Sequence, residues 1–472
     1  MGKHLHDEPS RGSLRAGRLR VYAERIEEGG QRRTASDAFG VLPSCSEGQD
    51  RVEELVASPA SRFWGELRPP SDKSITHRAY LIGALAARGA FIRKPLRGQD
   101  CEDTLELVKA LGAIVEAGDD SVRIRPSKLS STAAPLWCGN SGTTLRLAAG
   151  LIAGQGLSAV LTGDESLSKR PMRRIVEPLR EMGADIQGDT PPVTIQASNL
   201  HGIEYASPIA SAQIKSCVLL AGLGAEGDTS VSEPSHSRDH TERMLGSSGV
   251  SVRVEGLTVT ISPGRPEHLE VDIPADPSSA AFFLVAAAML GGPLTAKSVC
   301  VNPTRSGILD VLAEAGVSFT LVRSEGTDSE PIADICVETK PEDLKPFRVG
   351  GALIPRLIDE IPVLAVLATQ CNGTSEFRDA RELRVKESDR IEAIASGLRK
   401  MGANVEVWED GFSVAGPTNL HGTTIEANGD HRIAMSFAVA GLMAEGETRI
   451  LGAETIRTSF PDFEQELRRL AN

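Results

Sequence analysis

The sequence predicts an α/β (α+β) protein of two lobes, each built from about three copies of one unit. Three observations lead there. A short pattern recurs in which an apolar helix end meets a glycine and then a strand. It reads Ala110-Leu111-Gly112-Ala113-Ile114-Val115, Glu181-Met182-Gly183-Ala184-Asp185-Ile186 and Lys400-Met401-Gly402-Ala403-Asn404-Val405, with looser copies at Gly249 and Gly316. Glycine suits the left-handed position that ends a helix, and the alternation after it suits a strand. These glycines recur at intervals of roughly 70 residues, longer than the ~20–50 of solenoid repeats, so each copy is an α+β unit. Finally, 472 residues exceed one ordinary domain, and 40% hydrophobic with 24% charged residues describes a globular chain. Helix-glycine-strand junctions also occur singly in any α/β protein, so the spacing carries the argument.

Along the chain, residues 1–57 mix acids with bases and read as a polar, flexible N-terminal extension. They contain no apolar stretch of a secretory signal, and a cytoplasmic location is expected. Pro69-Pro70 and Ile273-Pro274 are candidate hinges. If the chain crosses there, residues 58–70 plus 275–472 form one discontinuous lobe and 71–274 the other, with the site in the cleft between them. The seven cysteines are scattered without metal-ligand spacing, which fits reduced thiols and no metal. A net charge of −13 argues against nucleic acid and against an anionic membrane surface as partners. Clusters of Lys and Arg therefore stand out.

Pro69-Pro70-Ser71-Asp72-Lys73-Ser74-Ile75-Thr76-His77-Arg78 leads into an apolar run, with Ser71 the expected N-cap and a helix from Asp72. Lys73, Ser74 and Arg78 then crowd the helix start as an anion grip. Gly139-Asn140-Ser141-Gly142-Thr143-Thr144-Leu145-Arg146 is a glycine-rich turn opening a helix; it lacks the Lys of a Walker loop. Lys169-Arg170-Pro171-Met172-Arg173-Arg174 is a basic knot. In Ser211-Ala212-Gln213-Ile214-Lys215-Ser216, an extended chain would point Ser211, Gln213 and Lys215 to one side. Ser237-Arg238-Asp239-His240 is a polar run suited to a loop lining. Residues 278–290 read as a buried helix capped by serines. Asp359 and Glu360 sit among apolar residues, where partial desolvation suits proton transfer, and Asp359 also reads as a helix cap before the buried run 363–368.

Arg384-Val385-Lys386-Glu387-Ser388-Asp389-Arg390 places a carboxylate among cations; on a helix, Lys386 and Arg390 would share a face. Asp430-His431-Arg432 opens another apolar helix, where His431 reads as a structural hydrogen-bonder. Taken singly, each segment also reads as ordinary structure: a solvated helix, a turn, a cap.

Together, the stretches 71–78, 139–146, 161–172, 211–222, 237–245, 276–283, 354–366, 382–390 and 430–435 closely resemble the 5-enolpyruvylshikimate-3-phosphate synthases, in order, from about residue 60 to the end. The resemblance implies the enolpyruvyl transferase fold, a two-lobed inverse α/β barrel of six βαβαββ units. It implies transfer of the carboxyvinyl group of phosphoenolpyruvate to the 5-hydroxyl of shikimate 3-phosphate, with no cofactor, by a monomer. By motif position, Lys73, Ser74, Arg78, Ser211, Ala212, Gln213, Arg238, Asp359 and Lys386 correspond to shikimate 3-phosphate contacts. Lys73, Asn140, Gly142, Arg170, Gln213, Arg390 and Arg432 correspond to phosphoenolpyruvate contacts. Glu387 resembles the family's proton donor and Asp359 its acceptor, with Lys73 the third catalytic residue.

Two departures stand out. Many members carry a Lys just before Thr-Phe-Pro-Asp; here the stretch is Arg457-Thr458-Ser459-Phe460-Pro461-Asp462, so one contact is absent or replaced. The Ser211–Lys215 form and Leu147 resemble the branch called class II, whose members can tolerate glyphosate, yet that branch often has a bulkier residue where Gly142 stands. The alternatives are the sister transferase acting on UDP-N-acetylglucosamine, which uses a reactive loop cysteine, and an inactive anion-binding relative.

Overall fold

The computed structural model describes residues 54–323 and 330–471. Among them the strands form six sheets, five of four strands and one of three. One plan recurs. Leu269–Asp272 runs parallel to Ala90–Arg93, which pairs antiparallel with Ser121–Arg125, and that strand with Ile114–Ala117. Glu204–Ala206, Thr229–Ser232, Thr258–Ile261 and Val252–Glu255 repeat the order and the directions. The repeat glycines at 112, 183, 249, 316 and 402 all have positive φ, between 80° and 101°. At the first of them, Gly112 N–H donates to Lys109 O and Ala113 N–H to Val108 O, closing the helix before the strand begins.

The helices lie inside and the sheets outside. Lys73–Leu85, Gly142–Gly154 and Ala212–Gly222 are almost wholly buried in one core; Pro277–Leu290, Ile361–Ala368 and His431–Gly441 fill the other. With aromatics only 4% of the chain, small residues let these helices approach closely. A Cβ on Gly150 would lie 2.2 Å from the Cys217 carbonyl oxygen, so only glycine fits that crossing. No helix among the described residues is long and apolar enough to cross a membrane.

One core draws on residues 55–67 and 275–470, the other on 75–273 together with Cys300. The two proline-rich segments that link them lie side by side. Asp72 N–H donates to Pro274 O and Asp276 N–H to Pro70 O, both at 2.8 Å.

Several local expectations shift. Ser71 is held extended in a bridge with Ala275, so Asp72 caps the first helix instead, accepting from Ile75 N–H at 2.8 Å. Asp276, not a serine, caps the 277–290 helix through Ser278 N–H. Glu54–Ala57, expected within the polar extension, is a strand paired antiparallel with Thr448–Leu451. The rest of that extension, residues 1–53, lies outside the described residues.

Candidate active site

A cavity lies between the two cores, walled by helix starts and loops from both. Its lining carries nine Lys and Arg residues against five Asp and Glu. In a chain of net charge −13, that local excess selects anions.

From one side, Lys73 begins its helix and pairs with Asp100 at 2.7 Å. Burial would lower its pKa, but Asp100 outweighs this and raises it. Gly142 opens its helix beside Arg146 and Arg170. Arg146 donates to Gln213 Oε1 at 2.6 Å, and burial with two neighbouring arginines lowers its pKa to about 10. A Cβ on Gly142 would sit 2.6 Å from Arg146 Nη1, so the glycine makes room for that guanidinium. Ser211, Ala212 and Gln213 line the wall, and Arg238 reaches Ser74 Oγ at 3.0 Å.

From the other side come Asp359, Lys386, Glu387, Arg390, His431 and Arg432. The helix expected to hold the 384–390 segment starts only at Arg390, capped by Asp389. Lys386 and Glu387 precede it in irregular backbone, so the shared helix face of Lys386 and Arg390 does not exist. Glu387 reaches Arg390 all the same, at 2.6 Å, and its other oxygen lies 3.6 Å from Arg170 of the opposite wall. Burial pushes the Glu387 carboxyl upward, but Arg390, Arg170 and Lys386 together hold it well below the usual range. Asp359 is bound by Arg238 at 2.5 Å and Arg390 at 3.2 Å. It too is held well below the usual range, by Arg432, Arg238, Lys386 and Arg390 against its burial. It is therefore an ion-paired carboxylate, not the helix cap its position suggested; Glu360 occupies the cap position. Burial, Lys73 and Arg432 keep the His431 imidazole neutral, and its Nε2 has no hydrogen-bond partner.

Two expected contacts stand back from the cavity. Arg78 is buried, and its guanidinium is taken up by Thr241, Ser74 O and Ser216 at 2.8–2.9 Å. Asn140 accepts from Arg170 and donates to Asp164 at 2.6 Å, so it orients Arg170 from behind. Lys215 also departs from the alternating reading. Its segment is helical from Ala212, which buries Lys215 between Glu233 at 2.7 Å and Glu242 at 2.8 Å. Conversely, Asp100, Arg146, Arg174, Asp276, Arg305 and Glu382 join the lining without having been singled out as site residues. Arg174 and Glu382 pair across the cleft at 2.8 Å. Arg146 closes the glycine-rich turn and Arg174 the basic knot, and that was the available signal.

Fold and site together define an enolpyruvyl-transferase type of protein, two sheet-covered lobes closing on a cleft for anions. The family model of EPSP synthase (3-phosphoshikimate 1-carboxyvinyltransferase) matches residues 57–467. The 3-phosphoshikimate 1-carboxyvinyltransferase of Anaeromyxobacter sp. (strain Fw109-5) is 49% identical over 406 residues, covering 84% of this chain and 94% of that protein. Its counterpart in Geobacillus kaustophilus (strain HTA426) is 46% identical, covering 87% and 98%. A solved EPSP synthase from Acinetobacter baumannii superposes with a TM-score of 0.78 at 41% identity, over 89% of this chain and 98% of that one. The chain belongs to the EPSP synthase family.

Proposed function

We infer that this chain is a 3-phosphoshikimate 1-carboxyvinyltransferase. It moves the carboxyvinyl group of phosphoenolpyruvate onto the 5-hydroxyl of shikimate 3-phosphate and releases phosphate. The observation that carries the reading is the pair of carboxylates, Glu387 and Asp359, each locked by cations in a cavity built for anions. Both substrates carry a phosphate and a carboxylate, so convergent guanidinium groups match them. The split of the core supports taking residues 58–70 and 275–472 as one lobe and 71–274 as the other.

Roles divide by position. Ser74, Ser211, Ala212, Gln213, Arg238 and Lys386 hold shikimate 3-phosphate, with Arg78 fixing Ser74 and Ala212 through their carbonyls. Lys73, Gly142, Arg170, Gln213, Arg390 and Arg432 hold phosphoenolpyruvate, with Asn140 behind Arg170. When the anions arrive they draw on the charge of Arg170 and Arg390. The field holding the Glu387 carboxyl down weakens, and it takes up a proton. Glu387 gives that proton to the vinyl carbon while Asp359, still ionised, takes the proton of the attacking hydroxyl. In the elimination the carbon–oxygen bond to phosphate breaks, a methyl proton returns to Glu387, and Asp359 passes the hydroxyl proton to the departing phosphate, which restores both carboxyl groups. The arginines stabilise the charge that moves onto the leaving phosphate.

The UDP-N-acetylglucosamine alternative is disfavoured by the family match. Cys138, the one motif cysteine, is also buried, and burial raises its thiol far from a reactive thiolate. An inactive anion-binding relative would need the cavity cations but not the carboxylates Glu387 and Asp359 among them. The purified protein should release phosphate from phosphoenolpyruvate only with shikimate 3-phosphate present. Equal release with UDP-N-acetylglucosamine refutes the assignment. Glu387→Gln should abolish turnover while calorimetry still detects shikimate 3-phosphate binding.

A further inference from the structure

Arg305 is 1% exposed and lies where the two linking segments meet. From Nη2 it donates to Asp276 Oδ1 and Ser278 Oγ, both at 2.8 Å, and from Nη1 to Glu360 Oε1 at 3.1 Å. Asp72 Oδ2 lies 3.6 Å from the same Nη2. Three buried carboxylates thus converge on one cation, and Ser278 Oγ also bonds Glu360.

Each carboxylate leads to a residue the reaction uses. Asp276 Oδ2 accepts the backbone N–H of Lys73 at 3.2 Å. Asp72 precedes Lys73 and caps its helix. Glu360 follows Asp359 in the chain and heads the 361–368 helix. Lys73 belongs to one lobe and Asp359 to the other, and Arg305 is the shared partner of the groups beside both. A planar guanidinium is suited to this, because its fork fixes several acceptors at set angles, whereas an ammonium holds one at a time. Stability alone gives no reason for the arrangement, since a buried ion cluster stabilises no better than apolar packing of the same volume.

Resting on the transferase reading above, we propose that Arg305 is a positioning residue that sets the separation of Lys73 from Asp359 across the cleft. It acts on turnover and not on substrate capture.

The test is Arg305→Lys, assayed beside the wild type for phosphate release with both substrates varied. Binding stoichiometry for shikimate 3-phosphate comes from calorimetry. The variant keeps one site per chain and both KM values within about threefold, while kcat falls roughly 10- to 100-fold, as for a small misplacement of reacting groups. A kcat within about twofold of wild type overturns the proposal. So does a loss carried by KM, which would make Arg305 a binding residue. If the Lys variant does not fold, Glu360→Gln decides. It keeps the cation and an acceptor but loosens one arm, so kcat falls with KM unchanged; an unchanged kcat overturns the proposal. A wild type that releases no phosphate sinks the transferase reading instead, separately from this one.

Discussion

Arg238 and Asp359 meet at 2.5 Å although 121 residues separate them and they stand on opposite walls of the cleft. The carboxylate read as the proton acceptor is therefore held ionised partly by the other lobe. Replacing Arg238 by Gln removes one charge-assisted contact worth about 1.5–3 kcal/mol, or roughly 10- to 100-fold in kcat/KM. Steady-state kinetics checks the loss. Small-angle scattering with both ligands should show a larger radius of gyration than wild type.

Gly142→Ala should disturb the site and spare the fold. The new methyl meets the far end of Arg146, a side chain that can swing, and touches Arg170 Nη1 only at an ordinary 3.6 Å. The Arg146–Gln213 bond is then displaced. We expect stability within about 1 kcal/mol of wild type by urea unfolding, with KM for phosphoenolpyruvate raised several-fold. An unchanged KM would mean that Arg146 does not shape that subsite.

Lys215→Met strikes at the buried triad. It leaves Glu233 and Glu242 without their cation, at a cost of about 3–5 kcal/mol. Glu233 also accepts Ser211 N–H at 2.9 Å and Ser237 Oγ–H at 2.8 Å, so the wall on the shikimate side loosens too. Denaturant midpoints and the KM for shikimate 3-phosphate should both move.

Acid should destabilise the protein from the histidine range downward. His77 and His431 are held neutral by burial and nearby cations, well below the ordinary 6.5. Below that value the unfolded chain gains protons that the folded chain refuses, so stability falls as pH falls. The slope reaches about 1.4 kcal/mol per pH unit for each histidine. Asp359 and Glu387 add to this lower down, since their depressed values favour the folded state only above the ordinary carboxylate range. Melting curves between pH 7 and 5 should show the fall, and His431→Asn should flatten it.

Much of this was legible in the chain. The repeat glycines announced the six-unit plan because a left-handed helix end followed by a strand is a local matter. Lys73, Arg170 and Glu387 were legible because their stretches occur together and in one order along the chain, where each alone also reads as ordinary structure. What was not legible depends on partners distant in sequence. Ser71 and Asp72 are both good caps, and only the bridge to Ala275 decides between them. Lys386 and Glu387 looked helical by spacing, yet the helix waits for Asp389 to cap it. The partners that bury Arg78 and Lys215 lie far away in the chain and could not be read from their own segments.

The paired linking segments have a mechanical consequence. Two strands bonded side by side, at Asp72 to Pro274 and at Asp276 to Pro70, bend readily about one axis but resist torsion. The cleft should therefore open as a book opens, with its two pages kept in register along the spine. The Arg174–Glu382 pair across the cleft would have to part, whereas Lys73 and Asp276, bonded to each other at the spine, scarcely separate at all.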